Sequence, residues 1–345
     1  MTIINRWGVR ISIVFLLAAF RATAGLCQAG DDIPEGVYAE ITACVLESRY
    51  DDAERIAERF MTDHPGHPAG PLFMAAVIQY AASDYEDYSR DGEFSALIDR
   101  ADSLAKSFDG DAESMLWARY YGASAHGLDG AWAAMSGRLV RGILSGRSAV
   151  KEMERIVAGN PAFADAYLLM GSYRFWRGIA LRGIAWIPFV DIEIDEGIVM
   201  VRRAIHDGRL AGPVAHTVLL EMLVSYDPKA AVMEGEALLV RYPQCRLFMW
   251  QVGEALKKLG RFGEAEAIYT VLATAMDADG RDDGSGALRC WWKLADMANL
   301  LGNKQECVYY CRKVLERADD PTVAVRQSGR VERARSLLRE VGGEE

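Results

Sequence analysis

Residues 246–272 read RLFMWQVGEALKKLGRFGEAEAIYTVL, and this stretch decides the fold. Its first half carries apolar residues at helical spacing, with Met249, Val252 and Gly253 on one side. Gly260 then supplies a turn, and Arg261–Leu272 starts a second amphipathic helix with the small residue Ala265 near its beginning. Small residues at Gly253 and Ala265 let two helix axes approach where larger side chains would hold them apart.

The same pattern recurs outward in both directions. First helices of this type are ADAYLLMGSYRFW (164–176), with Tyr167, Met170 and Gly171, and LRCWWKLADMANLLGN (288–303), with Trp291, Leu294, Ala295 and a turn at Gly302. Second helices are YDDAERIAERFMTDHP (50–65), SAVKEMERIVAGNP (148–161) and KAAVMEGEALLVRYP (229–243), each with an early Ala (Ala53, Ala149, Ala231) and a closing Pro that stops the helix. The period is about 34 residues, and a hairpin of this kind buries its apolar stripe only against neighbours.

On these residues the chain resembles the tetratricopeptide repeat (TPR) superfamily over most of residues 34–321, strongly in 212–321 and more loosely before residue 130. The resemblance implies an all-α, right-handed α-solenoid of TPR-like hairpins, with about 15 helices in all. Residues 30–145 are expected to be irregular helical repeats. Residues 146–321 would be the regular array, interrupted by an insert at 177–196, and 322–345 a solvating cap helix and tail. Helical stretches at 69–84, 92–108, 112–127 and 130–144 leave one helix in excess of strict alternation, so regular stacking is expected to lapse near 112–145.

The N-terminus has a separate logic. Arg6 and Arg10 precede the apolar run ISIVFLLAAF (11–20), and Ala22-Thr23-Ala24 fits a small-residue cleavage pattern, with Cys27-Gln28-Ala29 as a second cut site. Residues 1–24 therefore read as a Sec-type signal peptide, and the protein as exported to a periplasm or the extracellular space, the alternative being an uncleaved anchor. Cleavage removes Arg6, Arg10 and Arg21 and no acid, which takes the net charge from −10 to −13. With 39 Lys and Arg against 49 Asp and Glu, the average field repels phosphate, so a nucleic-acid partner is not expected. Membrane contact is expected only through the signal peptide.

Chemistry-bearing motifs are sparse. His64, His67, His126, His206 and His216 are scattered, and the cysteines show no CxxC; Cys307 and Cys311, four apart on one helix face, read as core thiols. DGRDDGSG (279–286) lacks calcium-loop spacing and reads as a solvated turn. No nucleophile elbow, Walker or dinucleotide pattern occurs, so no catalytic residue, metal ligand or cofactor is assigned, and the protein is read as not an enzyme.

Two groups are candidates for partner contact. In TPR arrays the first helices line a concave groove through positions two, five, nine, twelve and thirteen of each unit. The resemblance places Trp250 and Trp292 at position five and Trp176 at thirteen, with Glu254, Lys257, Lys258, Asp296 and Asn299 on the same face. Aromatic platforms among charges of both signs suit an extended peptide; alternatively Trp250 or Trp292 fills space between repeats. The insert carries Arg174, Arg177, Arg182, Trp186 and Phe189. It either contacts something outside the stack or folds over it, with its arginines paired to Asp191, Glu193 or Asp195. Two functions follow: an exported, non-catalytic scaffold that holds a protein or peptide in its groove, or a periplasmic carrier or transporter accessory whose insert closes an apolar pocket over a small ligand.

Overall fold

The computed structural model describes residues 35–182, 193–212 and 215–342. Sixteen helices lie among them: α1 (Glu35–Leu46), α2 (Tyr50–Asp63), α3 (Ala69–Tyr85), α4 (Asp91–Ser107), α5 (Ala112–Met135), α6 (Leu139–Gly159), α7 (Ala166–Leu181), α8 (Ile194–Asp207), α9 (Ala215–Tyr226), α10 (Pro228–Arg241), α11 (Arg246–Lys258), α12 (Phe262–Asp277), α13 (Ser285–Leu300), α14 (Lys304–Arg317), α15 (Pro321–Arg326) and α16 (Ser328–Val341). No strand occurs among the described residues. Consecutive helices pack on one another, from α4 through α8 and from α10 through α14, so the protein is all-α with the packing order of a helical-repeat solenoid. The proposed signal peptide falls outside the described residues.

Helix ends follow local chemistry. Asp111, Asp227, Asn303 and Asp320 accept backbone N–H groups of the first turns of α5, α10, α14 and α15. Gly260 and Gly302 adopt φ of +74° and +76°, the left-handed turn that joins α11 to α12 and α13 to α14.

The described residues form two compact units. One comprises residues up to Tyr80 and Tyr88–Met222; the other comprises Ala81–Asp87 and the residues from Leu223 on. In the first, the stretches expected at 112–127, 130–144 and 148–161 form two long helices, α5 and α6. First and second helices therefore alternate without the surplus helix that the sequence suggested. Gly127, Gly130 and Gly142 look like helix breakers, but here they permit close approach. A Cβ on Gly130 would lie 3.0 Å from the Gly142 carbonyl oxygen, and one on Gly142 2.8 Å from that of Gly130. Gly171 of α7 and Gly197 of α8 repeat the device, with reciprocal distances of 2.5 and 2.6 Å. An aromatic core fills the interior: Phe94 stacks on Trp132, and Trp117 packs among Tyr120, Tyr121 and Phe163.

In the second unit the small residues act as the sequence suggested, since a Cβ on Gly253 would already stand 2.8 Å from the Tyr269 ring. The expected single cap is two helices, with Asp320 starting α15. Val331, Ala334, Leu337 and Leu338 of α16 close the core formed by Leu288, Ala295, Cys307, Cys311 and Val314.

Candidate interaction surface

In the second unit a set of interacting polar side chains lies on α11 and α13. Arg246, Trp250, Glu254 and Lys257 recur along α11 at spacings of four, four and three, which places them on one face. On α13 the matching face carries Arg289, Lys293, Asp296 and Asn299, and two ion pairs join the helices, Lys257 with Asp296 and Lys293 with Glu254. Tyr269 of α12 donates to Glu254 at 2.9 Å. Burial by itself would raise the Glu254 carboxyl, but Lys293, Lys257 and the Tyr269 hydroxyl outweigh it and hold its pKa down at about 2.

The N-terminal half of this face holds the acidic stretch Ser83–Asp87, the end of α3 and the bend after it. Asp84 is fully buried; one carboxylate oxygen accepts from Arg246 Nε at 2.7 Å and the other from the Trp250 indole N–H at 2.7 Å. Arg246 also donates to the Tyr85 hydroxyl at 2.8 Å and to Asp279 at 2.6 Å, and Tyr85 donates to the same Asp279 oxygen at 2.6 Å. Arg289 lies 3.6 Å over the Trp250 ring. It donates to the backbone carbonyls of Ser83 at 3.1 Å and Asp84 at 3.3 Å, and pairs with Glu86 at 3.3 Å. Arg330 of α16 forks both oxygens of Glu86, at 2.6 and 3.1 Å, and Arg326 of α15 reaches Asp87 at 3.2 Å and Asp283 at 2.5 Å. Glu86 itself adopts φ +56°.

These positions revise several expectations. Trp250 is 3% exposed, with its ring under Arg289 and its N–H on Asp84, so it is an internal anchor and not an open platform. Trp176 is likewise buried, against Phe175. Trp292 is half-buried, and Asn299 is exposed. Glu254, Lys257 and Asp296 do share the face of α11 and α13, but each is committed to an ion pair. DGRDDGSG is not a solvated turn: Asp279 takes Arg246 and Tyr85, and Asp282 caps α13 through the N–H groups of Gly286 and Ala287, both at 2.8 Å.

In the first unit Arg174 pairs with Glu196 and, at 3.5 Å, with Glu193, and Arg177 faces Glu193 at 3.6 Å. Glu193 was expected as a partner; Glu196 was not. α7 runs to Leu181, with Arg182 just beyond it, and α8 begins at Ile194, inside the span assigned to the insert. Trp186 and Phe189 lie outside the described residues.

Sequence reasoning missed Arg246, Arg289, Arg330 and the Ser83–Asp87 segment. One signal was present: in the repeat frame that the resemblance implied, Arg289 takes position two, expected to line a groove, three residues ahead of Trp292 at position five. Asp84 carried no such signal, because 162 residues separate it from Arg246.

Among the described residues no group of His, Cys, Asp and Glu has metal-holding geometry, and no helix is long and apolar enough to cross a membrane. No family model matches the chain, and no curated protein matches it. Among solved structures it is similar to a chain in the crystal structure of the APC/C hetero-tetramer Cut9–Hcn1, with 13% identity over 90% of this chain and 72% of that one, at a TM-score of 0.24. The class assigned here, an all-α protein of stacked helix hairpins, rests on the helix order and packing described above.

Proposed function

We propose that the protein is an exported, non-catalytic helical-repeat scaffold that holds a protein or peptide partner on the face of α11 and α13. The observation that carries this reading is the composition of that face. α13 presents half-buried Trp292 and exposed Asn299 beside the interhelical pairs Lys257–Asp296 and Glu254–Lys293. The pairs hold the two helices in register, while Trp292 offers the kind of amphipathic ring that anchors interfaces. Export is supported by the charged and apolar pattern of residues 6–24.

The test is Trp292→Ala in the full chain, expressed in its native cell and cross-linked before purification. Loss of the retained partner, with the melting temperature of the fold kept, supports the reading. Equal retention by wild type and variant overturns it. Cell fractionation with N-terminal sequencing checks export: a mature chain beginning after Ala24 or Ala29 is expected, and an intact Met1 in the cytoplasm refutes that part.

A further inference from the structure

The chain shows what the arginine-rich half of this face recognises, because part of the chain occupies it. Ser83–Glu86 is read at four points. The Asp84 carboxylate takes Arg246 and the Trp250 N–H; the Tyr85 hydroxyl sits between Arg246 and Asp279; the last carbonyls of α3 take Arg289; and Glu86 takes Arg289 and Arg330. The donors come from three different helices, α11, α13 and α16, and converge on one helical turn. Arg289 donates to the Ser83 and Asp84 carbonyls at the C-terminal end of α3, where a cation is favoured by the helix dipole. Guanidinium forks on carboxylates fix direction as well as charge.

A contact that served packing alone would be met at least as well by apolar side chains, because buried ion pairs seldom add net stability over apolar packing of the same volume. Such groups do supply discrimination, since a segment lacking Asp84 would leave Arg246 with Asp279 as its one acidic partner among these contacts, and a segment lacking Glu86 would leave Arg289 and Arg330 without the carboxylate they share.

We propose that Arg246, Trp250, Arg289 and Arg330 form a receptor for the C-terminal turn of an acidic helix, filled in cis by Ser83–Glu86, and that the partner is a helix ending in the same Asp–aromatic–Glu order. The proposal rests on the reading of this face as a peptide-binding surface and gives that surface its partner class. A tethered segment competes at an effective concentration on the order of millimolar, so a free peptide enters measurably only when the tethered copy is weakened.

The experiment uses the full-length protein and a fluorescein-labelled peptide of residues 79–88, QYAASDYEDY, followed by fluorescence anisotropy. Glu86→Gln weakens the tethered copy and leaves all four receptor residues intact. It should bind the peptide at least three-fold more tightly than wild type. Adding Asp84→Asn should raise the gain to ten-fold or more, provided that thermal melting shows the double variant folded; otherwise the single variant decides. Adding Arg289→Ala should remove the gain, and a peptide with Asn and Gln in place of its Asp84 and Glu86 should not show it. Equal binding by wild type and folded Glu86→Gln overturns the proposal, as does equal binding of the neutral peptide. Peptide binding without retention of a native partner would leave the receptor standing and defeat the scaffold reading, so the two failures are separable.

Discussion

Asp165 in the first unit and Asp84 in the second are both buried carboxylates, and the two units satisfy them in opposite ways. Among the described residues Asp165 accepts from backbone amides, those of Arg209 at 2.8 Å, Leu210 at 2.6 Å and Ala211 at 2.7 Å, and burial pushes its pKa up despite them. Asp84 accepts a guanidinium and an indole. The first solution ties down the stretch that follows α8, since Arg209–Ala211 come directly after its last turn. The second joins segments far apart in sequence. A dipole nest tolerates a neutral acceptor, whereas an arginine whose counter-charge is removed retains its full desolvation cost. Both units combine glycine contacts, ion pairs and apolar packing, but the reciprocal glycine approaches, α5 to α6 and α7 to α8, fall in the first, while the second adds a cluster of arginines from α11, α13 and α16 to the apolar core that α16 closes.

Matched substitutions test this contrast. Asp84→Asn should destabilise the protein by about 3 kcal/mol, because Arg246 keeps only Asp279 as a counter-charge and one of the donors on Asp84 then meets an amide nitrogen. Asp165→Asn should cost about 1–3 kcal/mol, since its remaining oxygen still serves Leu210 and Ala211. Urea unfolding of both variants checks the order, and a larger loss at Asp165 would reverse the assignment of charge to the second unit.

A smaller effect is expected from acid. The Glu254 carboxyl is depressed from 4.5 to about 2, so its contribution is complete above pH about 4.5 and is lost as pH falls toward about 2. Wild type should lose stability in that window more steeply than Glu254→Gln. Parallel curves would show that Lys293 and Lys257 do not hold the carboxylate in solution.

The smallest effect is one of rate. Cys44, Cys245, Cys290, Cys307 and Cys311 are buried free thiols, and burial raises all five, Cys245 and Cys311 to about 12. Alkylation in native buffer should be slow at each. Cys44 of α1, at 5% exposure, should react before Cys290, which is fully buried beside Arg289. Mass spectrometry of the labelled peptides gives the order.

How much of this was legible in the sequence depended on the range of the interaction. Gly253, Ala265 and the turns at Gly260 and Gly302 act through neighbours within a hairpin, so periodicity revealed them. Gly130 and Gly142 were opaque because a glycine that ends a helix and one that admits another helix look alike until the partner is placed. Trp250 shares a helix face with Glu254 and Lys257, as the spacing suggested, but it is buried where an open platform was expected. What covers it is Arg289 together with Asp84, and the latter pairing leaves no periodic trace. Helical spacing placed the aromatic and charged residues of α11 and α13 along common faces, while their long-range partners at Ser83–Asp87 required coordinates.

The separation of Asp84 from its ligands also has a kinetic consequence. During synthesis Ser83–Asp87 emerges long before Arg246, and Arg330 follows later still, so helix hairpins with local contacts can assemble while the acidic turn waits for its arginines. Closure of this network is therefore expected late in folding. Substitutions at Asp84 should quicken unfolding and leave the refolding rate nearly unchanged.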